Sequence, residues 1–402
     1  MESLKELYRI GPGPSSSHTL AVRNACLYYK NKYPDYSTYL VELFGSLGLT
    51  GKGHMSDKII ESVFGFEHVI IRFNKEMYGK QPNTMIFHTL QNNQLANEMI
   101  IYSIGGGAIE IEGIGSLVNR LVYPQANFAE IVEYCQQNRC NLAQYVYHYE
   151  PEIKPFLNAV MTQMILTVRS GLRQDGVLPG PLQLEKIAKR INIRAKDADD
   201  PTTKQKLLLS SYAYASMEEN ASGHIVVTAP TLGSCGVVSS LVYYYYESGV
   251  SKEIICNGLA VAGVIGNIIK TNATISGAVG GCQAEIGTAC AMAAAMASYI
   301  EGLSTRQIGI ASEIAIEHHL GLTCDPVGGY VQVPCIERNG VAALRAMDAM
   351  LYAKYLGEIK ESKVSFDKIV ETMNYTGKKI AMELRETSLG GLAIALPVDK
   401  NL

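Results

Sequence analysis

The sequence predicts an α+β fold in two parts, a small α/β-type domain over residues 1–150 followed by an all-helical domain over residues 155–402. A chain of 402 residues exceeds what one ordinary hydrophobic core supports, so two domains are expected. Runs typical of strands occur before residue 150, broken by Gly, Asn and Pro, and nearly vanish after residue 155. Beyond that point apolar residues recur at helical spacing.

The predicted elements follow a mixed order in the first part. Helical spacing over HTLAVRNACLYYKNKY and from His54 to Phe64 alternates with strand-like runs, namely STYLVELFG, HVIIRF and TMIFHTL. The second part is predicted to be nearly all helix, joined by loops that contain Gly and Pro. Its helices cover PFLNAVMTQMILTVRSGLR, TKQKLLLSSYAYASMEEN, a Gly- and Ala-rich stretch from Ile254 to Ile300, RQIGIASEIAIEHHL and GVAALRAMDAMLYAKYLGEI.

Charge and hydropathy indicate which partners the chain lacks. A formal net charge of −3, from 35 basic and 38 acidic residues, gives no large positive field, so nucleic acid is not expected to bind. The most apolar runs fall short of about 18 to 20 uninterrupted residues, and Lys270 and Glu285 interrupt them, so no membrane span is expected. The segment MESLKELYRIG lacks the pattern of a secretory signal, which predicts a cytoplasmic protein.

Nine cysteines in an intracellular chain are better interpreted as thiols or metal ligands than as a disulfide framework. Three of them, Cys282, Cys324 and Cys335, lie in segments rich in Gly, Pro and polar residues, which can turn several thiolates inward. A cubane cluster on three thiolates leaves one iron open, as Lewis-acid catalysis requires. On these residues alone, three buried loop cysteines without a metal are the favoured interpretation.

Eight segments carry more information than this spacing, because they resemble the bacterial iron–sulfur L-serine dehydratases in the same order and nearly from end to end. They are GPGPSSSHT, FGSLGLTGKGH, YSIGGG, GVLPGPL, VVTAPTLGSCGVV, NATISGAVGGCQAEIGTACAMAAA, EHHLGLTCDPVGGYVQVPCIERN and RETSLGGLAIAL.

The resemblance implies a β-type domain fused to a helical catalytic domain in one chain, without a regulatory ACT domain. It implies that Cys282, Cys324 and Cys335 hold a [4Fe–4S] cluster and that no pyridoxal phosphate is used. It further implies an oxygen-sensitive homodimer that converts L-serine to pyruvate and ammonia.

Two departures from the family pattern have consequences. Leu232 stands in TAPTLGS where family members commonly have Asn, which removes an amide near the expected pocket and bears on substrate preference. The sequence ends ALPVDKNL, so a self-inhibiting cysteine in the tail is not expected.

The elimination requires a base for the α-proton and groups that bind the amino acid. His18 in SSSHT and His54 in GKGH are the candidate bases, because both can titrate near neutral pH, although a thiolate or alkoxide base remains open. Ser15 to Thr19 can also cap a helix that begins near Leu20. The candidate substrate-binding residues are Ser15, Ser16, Ser17, Thr19, Lys52, Thr231, Arg385 and Thr387.

Three other functions compete with serine dehydration. The same iron and base could promote a related elimination on L-threonine or L-cysteine. A pyridoxal-phosphate dehydratase is disfavoured because no lysine stands in a recognisable Schiff-base pattern. A non-catalytic iron–sulfur sensor of an amino acid is disfavoured because no basic helix or appended module is visible in the sequence.

Overall fold

The computed structural model describes residues 1–91, 94–116, 121–357, 359, 362–396 and 398. It confirms the predicted α+β fold, with a small sheet in the first part and helices through most of the second. The expectation that the tail carries no self-inhibiting cysteine concerns the segment ALPVDKNL, and most of that segment lies outside the described residues.

Within the described residues, six strands form the main sheet in the order β3-β2-β4-β5-β6-β7. Strands β2 and β3 are parallel and the remaining neighbours are antiparallel. A separate pair joins β1 to β8, antiparallel, with Ile10 opposite Val227. The strands are β1 (Ile10–Pro12), β2 (Thr38–Gly45), β3 (Val69–Phe73), β4 (Asn83–Gln91), β5 (Gln94–Gly105), β6 (Ala108–Ile111), β7 (Gly115–Ser116) and β8 (Ile225–Val227).

The helices cover most of the remaining described chain. They are α1 (Ala21–Lys32), α2 (Ser46–Thr50), α3 (Ser56–Phe64), α4 (Phe128–Asn138), α5 (Leu142–Tyr149), α6 (Ile153–Gly171), α7 (Ala188–Lys196), α8 (Pro201–Ala221), α9 (Cys235–Glu247), α10 (Lys252–Asn272), α11 (Gly277–Gly280), α12 (Thr288–Ile300), α13 (Thr305–Glu317), α14 (Cys335–Tyr355), α15 (Phe366–Lys379) and α16 (Leu392–Ala395). Short helical turns occupy Leu4–Glu6, Ser16–Leu20, Phe66–His68, Leu232–Ser234, Gln283–Gly287, Val327–Gly329 and Met382–Leu384.

Helices α1 and α3 cover one face of the six-stranded sheet. Helix α1 buries Val22, Cys26 and Tyr29, which recur at helical spacing and form one stripe. The Tyr29 ring stacks on Phe87 of β4, with ring centroids 5.1 Å apart. Cys26 is therefore a small core residue, as its apolar context predicts.

The Gly- and Ala-rich stretch forms the centre of the helical part. Helix α10 is long and apolar enough to cross a membrane by length and composition, but 78% of its apolar window is buried inside the protein. A Cβ at Gly266 would lie 2.7 Å from Met292 Sδ on α12, so the small residue permits close approach of the two helices. The stretch forms the predicted helical core.

The hydrophobic clusters of the described residues do not follow the order of the segments along the chain: one lies among the helices, one beside the six-stranded sheet, and a small third one includes Leu20 and Leu232. Residues Leu4, Leu7 and Tyr8 are buried in the helical core, where the Tyr8 hydroxyl donates to the Leu259 carbonyl at 2.9 Å. Helices α4 and α5, which precede residue 150, also pack in that core. The predicted domain limits of 1–150 and 155–402 stay a prediction about folding units, and packing assigns these segments to the helical side.

Candidate active site

Loops from both parts of the chain converge on one small cavity with a volume of about 20 Å³. The three cysteines singled out in the sequence line it together with one of the two histidines. The cavity is lined by Ser15, His54, Gly233, Cys282, Glu285, Cys324, Pro326, Val331, Cys335 and Glu386.

Two of the three thiols lie at the end of a helix, and the third lies in a loop held by backbone hydrogen bonds. Cys282 follows Gly281, whose φ of +73° suits glycine, just beyond α11. Cys324 is fixed by its backbone, because its N–H donates to the Leu384 carbonyl at 2.8 Å and its carbonyl accepts from the Glu386 N–H at 2.6 Å. Cys335 is the first residue of α14.

The groups around the thiols carry charges of both signs, namely the Arg338 guanidinium and the carboxyl groups of Glu285 and Glu386. The Arg338 guanidinium, one turn along α14 from Cys335, interacts electrostatically with all three thiols. A hydrogen bond from the Cys324 thiol, aided by Arg338, lowers the pKa of Cys282, while the same bond raises the pKa of Cys324. Burial raises the pKa of Cys335. Metal binding replaces these thiol protons and removes that cost.

The donor set fits a cluster held by three cysteines. The three Sγ atoms face one buried cavity, and a cationic guanidinium lies beside them to balance thiolate charge. A Cβ at Gly277 would lie 2.6 Å from Glu285 Oε2 and 3.3 Å from Cys324 Sγ, so only glycine leaves this side of the cavity open. Carboxylates, hydroxyls and a histidine, rather than a fourth cysteine, complete the lining.

His18 is fully buried and its ring is held on both edges. Its Nε2 lies 2.9 Å from Thr50 Oγ1 and 3.3 Å from Ser46 Oγ. Its Nδ1 lies 3.3 Å from Ser15 Oγ and 3.6 Å from Glu386 Oε1. Burial, and next the neighbouring His54, lower the pKa of His18 well below the ordinary value, so the ring is neutral at pH 7.

His54 presents a free nitrogen to the cavity. Its Nδ1 lies 2.9 Å from the Thr50 carbonyl oxygen, which can only accept, so Nδ1 carries the proton and Nε2 carries the lone pair. This Nε2 is buried and has no hydrogen-bond partner among the described residues. Burial lowers the pKa of His54 to about 4, so the lone pair is available across the neutral range.

The two imidazole rings stack, with centroids 4.1 Å apart and planes inclined by 19°. Ligand atoms of His18, His54 and Glu386 all lie within 4.8 Å of one another, which is close enough for a shared metal ion. An ion binds imidazole in the plane of the ring, however, and two stacked rings do not share a plane. The stack therefore does not suit ligation of one metal ion by both rings.

Two carboxylates in the lining were not identified from the sequence. Glu386 lies between the candidates Arg385 and Thr387, is buried with a φ of +59°, and its Oε2 has no partner among the described residues. Burial, and next the negative charges of Glu285 and Cys282, raise its pKa well above the ordinary value. Glu285 accepts from Thr231 Oγ1 at 2.8 Å, and burial raises its pKa.

Of the predicted residues Ser15, Ser16, Ser17 and Thr19, Ser15 lines the cavity and the other three belong to the turn that follows it. Ser15 lines the cavity and accepts from the His18 N–H at 3.2 Å as the N-cap of the turn Ser16–Leu20. Ser16 Oγ accepts from the Leu232 N–H at 2.7 Å, whereas Thr19 donates to the Ser15 carbonyl within its own turn. Ser17 is buried beside them. Helix α1 begins directly after this turn, at Ala21.

Three further candidates do not line the cavity. Lys52 is exposed, with its Nζ 5.8 Å from the centroid of the Phe73 ring. Arg385 donates from Nη1 to the Val279 carbonyl at 3.1 Å, near the Cys282 loop. Thr387 Oγ1 donates within its own segment, 3.0 Å from the Glu383 carbonyl. Arg385 and Thr387 thus fix the chain on either side of Glu386.

Leu232 does not replace an amide in the cavity lining. Its side chain is fully buried in an apolar cluster with Leu20, Met217 and Cys235. The neighbouring Gly233 is the residue of this segment that faces the cavity. The Leu232 side chain therefore makes no direct contact with the cavity that would account for an effect on substrate preference.

Comparison with known proteins gives matches along almost the whole chain. Residues 3–68 match the family model described as the serine dehydratase beta chain, and residues 91–393 match that of the alpha chain. L-serine dehydratase 2 of Escherichia coli (strain K12) is 36% identical, over 98% of this chain and 99% of its own. The L-serine dehydratase of Helicobacter pylori (strain J99) is 34% identical over 98% and 99% of the two chains, and that of Streptomyces coelicolor 32% over 98% and 98%.

Proposed function

The chain belongs to the serine dehydratase family and is an L-serine ammonia-lyase, and from this premise we propose that it works with a [4Fe–4S] cluster on Cys282, Cys324 and Cys335. The observation that supports this most directly is the shared cavity, where three thiols and the lone pair of a neutral histidine face the same space. No other cysteine lines the cavity among the described residues, which is the arrangement that leaves one iron open.

Removal of water from serine needs help at two atoms, because the α-proton is weakly acidic and hydroxide is a poor leaving group. When bound, the cluster supplies an open Lewis-acidic iron for the β-hydroxyl. The chain supplies the base. His54 Nε2 removes the α-proton, and the ring becomes an imidazolium whose Nδ1–H still donates to the Thr50 carbonyl. The aminoacrylate formed then tautomerises and hydrolyses to pyruvate and ammonia without further help.

The serine-rich turn is proposed to bind the amino acid. Ser15 faces the cavity directly, and Ser16, Ser17 and Thr19 hold the turn that presents it. Thr231 acts through Glu285, to which it donates a hydrogen bond. Arg385 and Thr387 fix the chain on either side of Glu386, and Lys52 contributes a positive charge outside the cavity.

Glu386 is proposed to protonate the departing hydroxide and to be reprotonated when His54 releases the proton that it removed. Its carboxyl group lies 3.6 Å from His18 Nδ1 and has one unpartnered oxygen in the cavity. A protonated carboxyl can release its proton to a departing hydroxide and later recover one. Pairs of groups whose surroundings push their pKa values apart, here upward for Glu386 and downward for His54, are typical of acid and base roles.

Glu386→Gln is expected to lower kcat about 10- to 100-fold with the cluster retained, because the amide keeps the shape but carries no transferable proton. Steady-state kinetics and iron content measure the two effects. Glu383→Gln is the matched control, since that side chain is exposed on the same segment. A wild-type kcat in Glu386→Gln would remove the carboxyl from the proton path.

A cytoplasmic homodimer that binds neither nucleic acid nor membrane is part of the same proposal. The most apolar long helix, α10, is largely buried inside the protein, as expected for a core helix. Sedimentation of the cluster-loaded protein tests the dimer.

The decisive experiment is release of pyruvate from L-serine by protein reconstituted with iron and sulfide without oxygen, before and after exposure to air. The expected result is turnover that disappears in air together with the cluster. Turnover that is indifferent to cluster loss would refute the iron-dependent reaction. L-threonine and L-cysteine are assayed in parallel, because faster turnover of either would reassign the substrate.

A further inference from the structure

We propose that Thr50 is a positioning residue that sets opposite tautomers on the two stacked histidines. The inference rests on the proposed function, in which His54 removes the α-proton of serine. Thr50 is the last residue of α2, and both of its oxygen atoms are used: the hydroxyl contacts His18 and the carbonyl contacts His54.

The hydroxyl of Thr50 fixes the proton on His18. Thr50 Oγ1 donates its single proton to the Ser46 carbonyl at 2.9 Å, so it can only accept at His18 Nε2, also 2.9 Å away. Ser46 Oγ, the second neighbour of Nε2, donates its own proton to the Glu386 carbonyl at 2.6 Å. Two acceptors at Nε2 require a donor there, so neutral His18 is protonated at Nε2 and has its lone pair at Nδ1.

The carbonyl of Thr50 fixes the proton on His54. It accepts from the backbone N–H of His54 at 3.1 Å and from Nδ1 at 2.9 Å. His54 is therefore protonated at Nδ1, and its lone pair at Nε2 is the one that faces the cavity. One residue thus holds two neighbouring rings in opposite protonation patterns.

The His18 tautomer matters because of what faces its other nitrogen. Its Nδ1 lone pair is directed to the side of the ring where Ser15 Oγ and Glu386 Oε1 lie. With the lone pair at Nδ1, this nitrogen can accept from a protonated Glu386 carboxyl, whose Oε1 lies 3.6 Å away, and so orient that carboxyl beside the cavity. In the other tautomer an N–H would face Glu386, and the Nε2 lone pair would face two oxygen atoms that have no proton to give.

The test compares Thr50→Val with Thr50→Ser in the cluster-loaded enzyme, using L-serine and L-serine deuterated at the α-carbon. Valine keeps the shape of threonine but removes the hydroxyl acceptor, whereas serine keeps the acceptor. Thr50→Val should lower kcat about 10- to 100-fold, less than the loss of a base itself, with KM little changed. Its deuterium isotope effect on kcat should rise, because proton removal becomes slower relative to the other steps. Thr50→Ser should stay close to wild type.

Each result decides between positioning and a merely structural role. A wild-type kcat in Thr50→Val would overturn the proposal, and so would an equal loss in both variants with an unchanged isotope effect, which indicates a smaller folded fraction. A wild-type enzyme with no turnover of serine would overturn the proposed function as well. An active wild type with an indifferent Thr50→Val overturns only the role of Thr50.

Discussion

Cys282→Ala, Cys324→Ala and Cys335→Ala are each expected to abolish both retention of the cluster and pyruvate formation. The loss should exceed the roughly 10- to 100-fold that groups behind a metal's ligands typically contribute, because each change removes a ligand itself. Three ligands leave one of four irons open, so loss of one thiol leaves a second iron without a protein ligand, and the cluster is held poorly and exposed to solvent and oxidants. Iron and sulfide content, visible absorbance and turnover measure the effect.

Cys235→Ala is the matched control for the three ligand variants. Its thiol is just as buried and belongs to a segment whose Gly233 lines the cavity, but the side chain packs in an apolar cluster. The variant should keep its iron and its turnover. If one of the three cavity variants behaved like Cys235→Ala, that cysteine would leave the ligand set. Thermal unfolding of each cluster-free variant distinguishes ligand loss from misfolding.

The fold and the three thiols could be predicted because their signals are local. Short strand-like runs bounded by Gly, Asn and Pro predicted strands β2, β3 and β4, and helical spacing predicted the long helices of the second part. Loops rich in Gly and Pro separated three cysteines from those in apolar helices. Which core a segment joins is not a local property. Helices α4 and α5 show ordinary amphipathic spacing, and no periodicity says that they pack on the helical side.

The buried carboxylates escaped prediction for a related reason. In the sequence Glu285 is a charge that interrupts an apolar stretch, and Glu386 stands between two residues with clearer polar chemistry. Their roles depend on burial and on partners distant in sequence, such as Thr231 for Glu285 and His18 for Glu386. A charged residue inside an otherwise apolar segment was the available signal, since such charges are rarely buried without a purpose.

Leu232 shows the limit in the other direction, because a residue expected near the pocket is adjacent to it in sequence without lining it. The turn Leu232–Ser234 exposes Gly233 to the cavity and directs the Leu232 side chain into an apolar cluster. Only the local backbone conformation separates the two neighbours, and it could not be predicted from residue types.

His54→Asn is expected to lower kcat by about 10²- to 10⁴-fold, the usual contribution of a general base, while the cluster is retained. Asparagine can keep a donor near the Thr50 carbonyl but has no basic nitrogen at the position of Nε2. In the wild type the base is active when neutral, so kcat/KM should rise with pH through the depressed pKa of His54 and level off above it. With a pKa of about 4, that acid limb lies below the range of an ordinary histidine, and His54→Asn should lose it.

His318→Asn is the control that separates the basic nitrogen from the local hydrogen bond. His318 Nδ1 contacts the carbonyl four residues earlier at 2.9 Å, as His54 Nδ1 does, but its side chain is exposed and is not part of the cavity lining. Loss of such a bond at an exposed position should leave kcat and the pH profile unchanged. If His54→Asn kept a wild-type kcat and acid limb, another group would be the base. Glu386 has a raised pKa, and the three thiols are proposed to bind the cluster. His18, with its lone pair at Nδ1, would therefore be the next candidate.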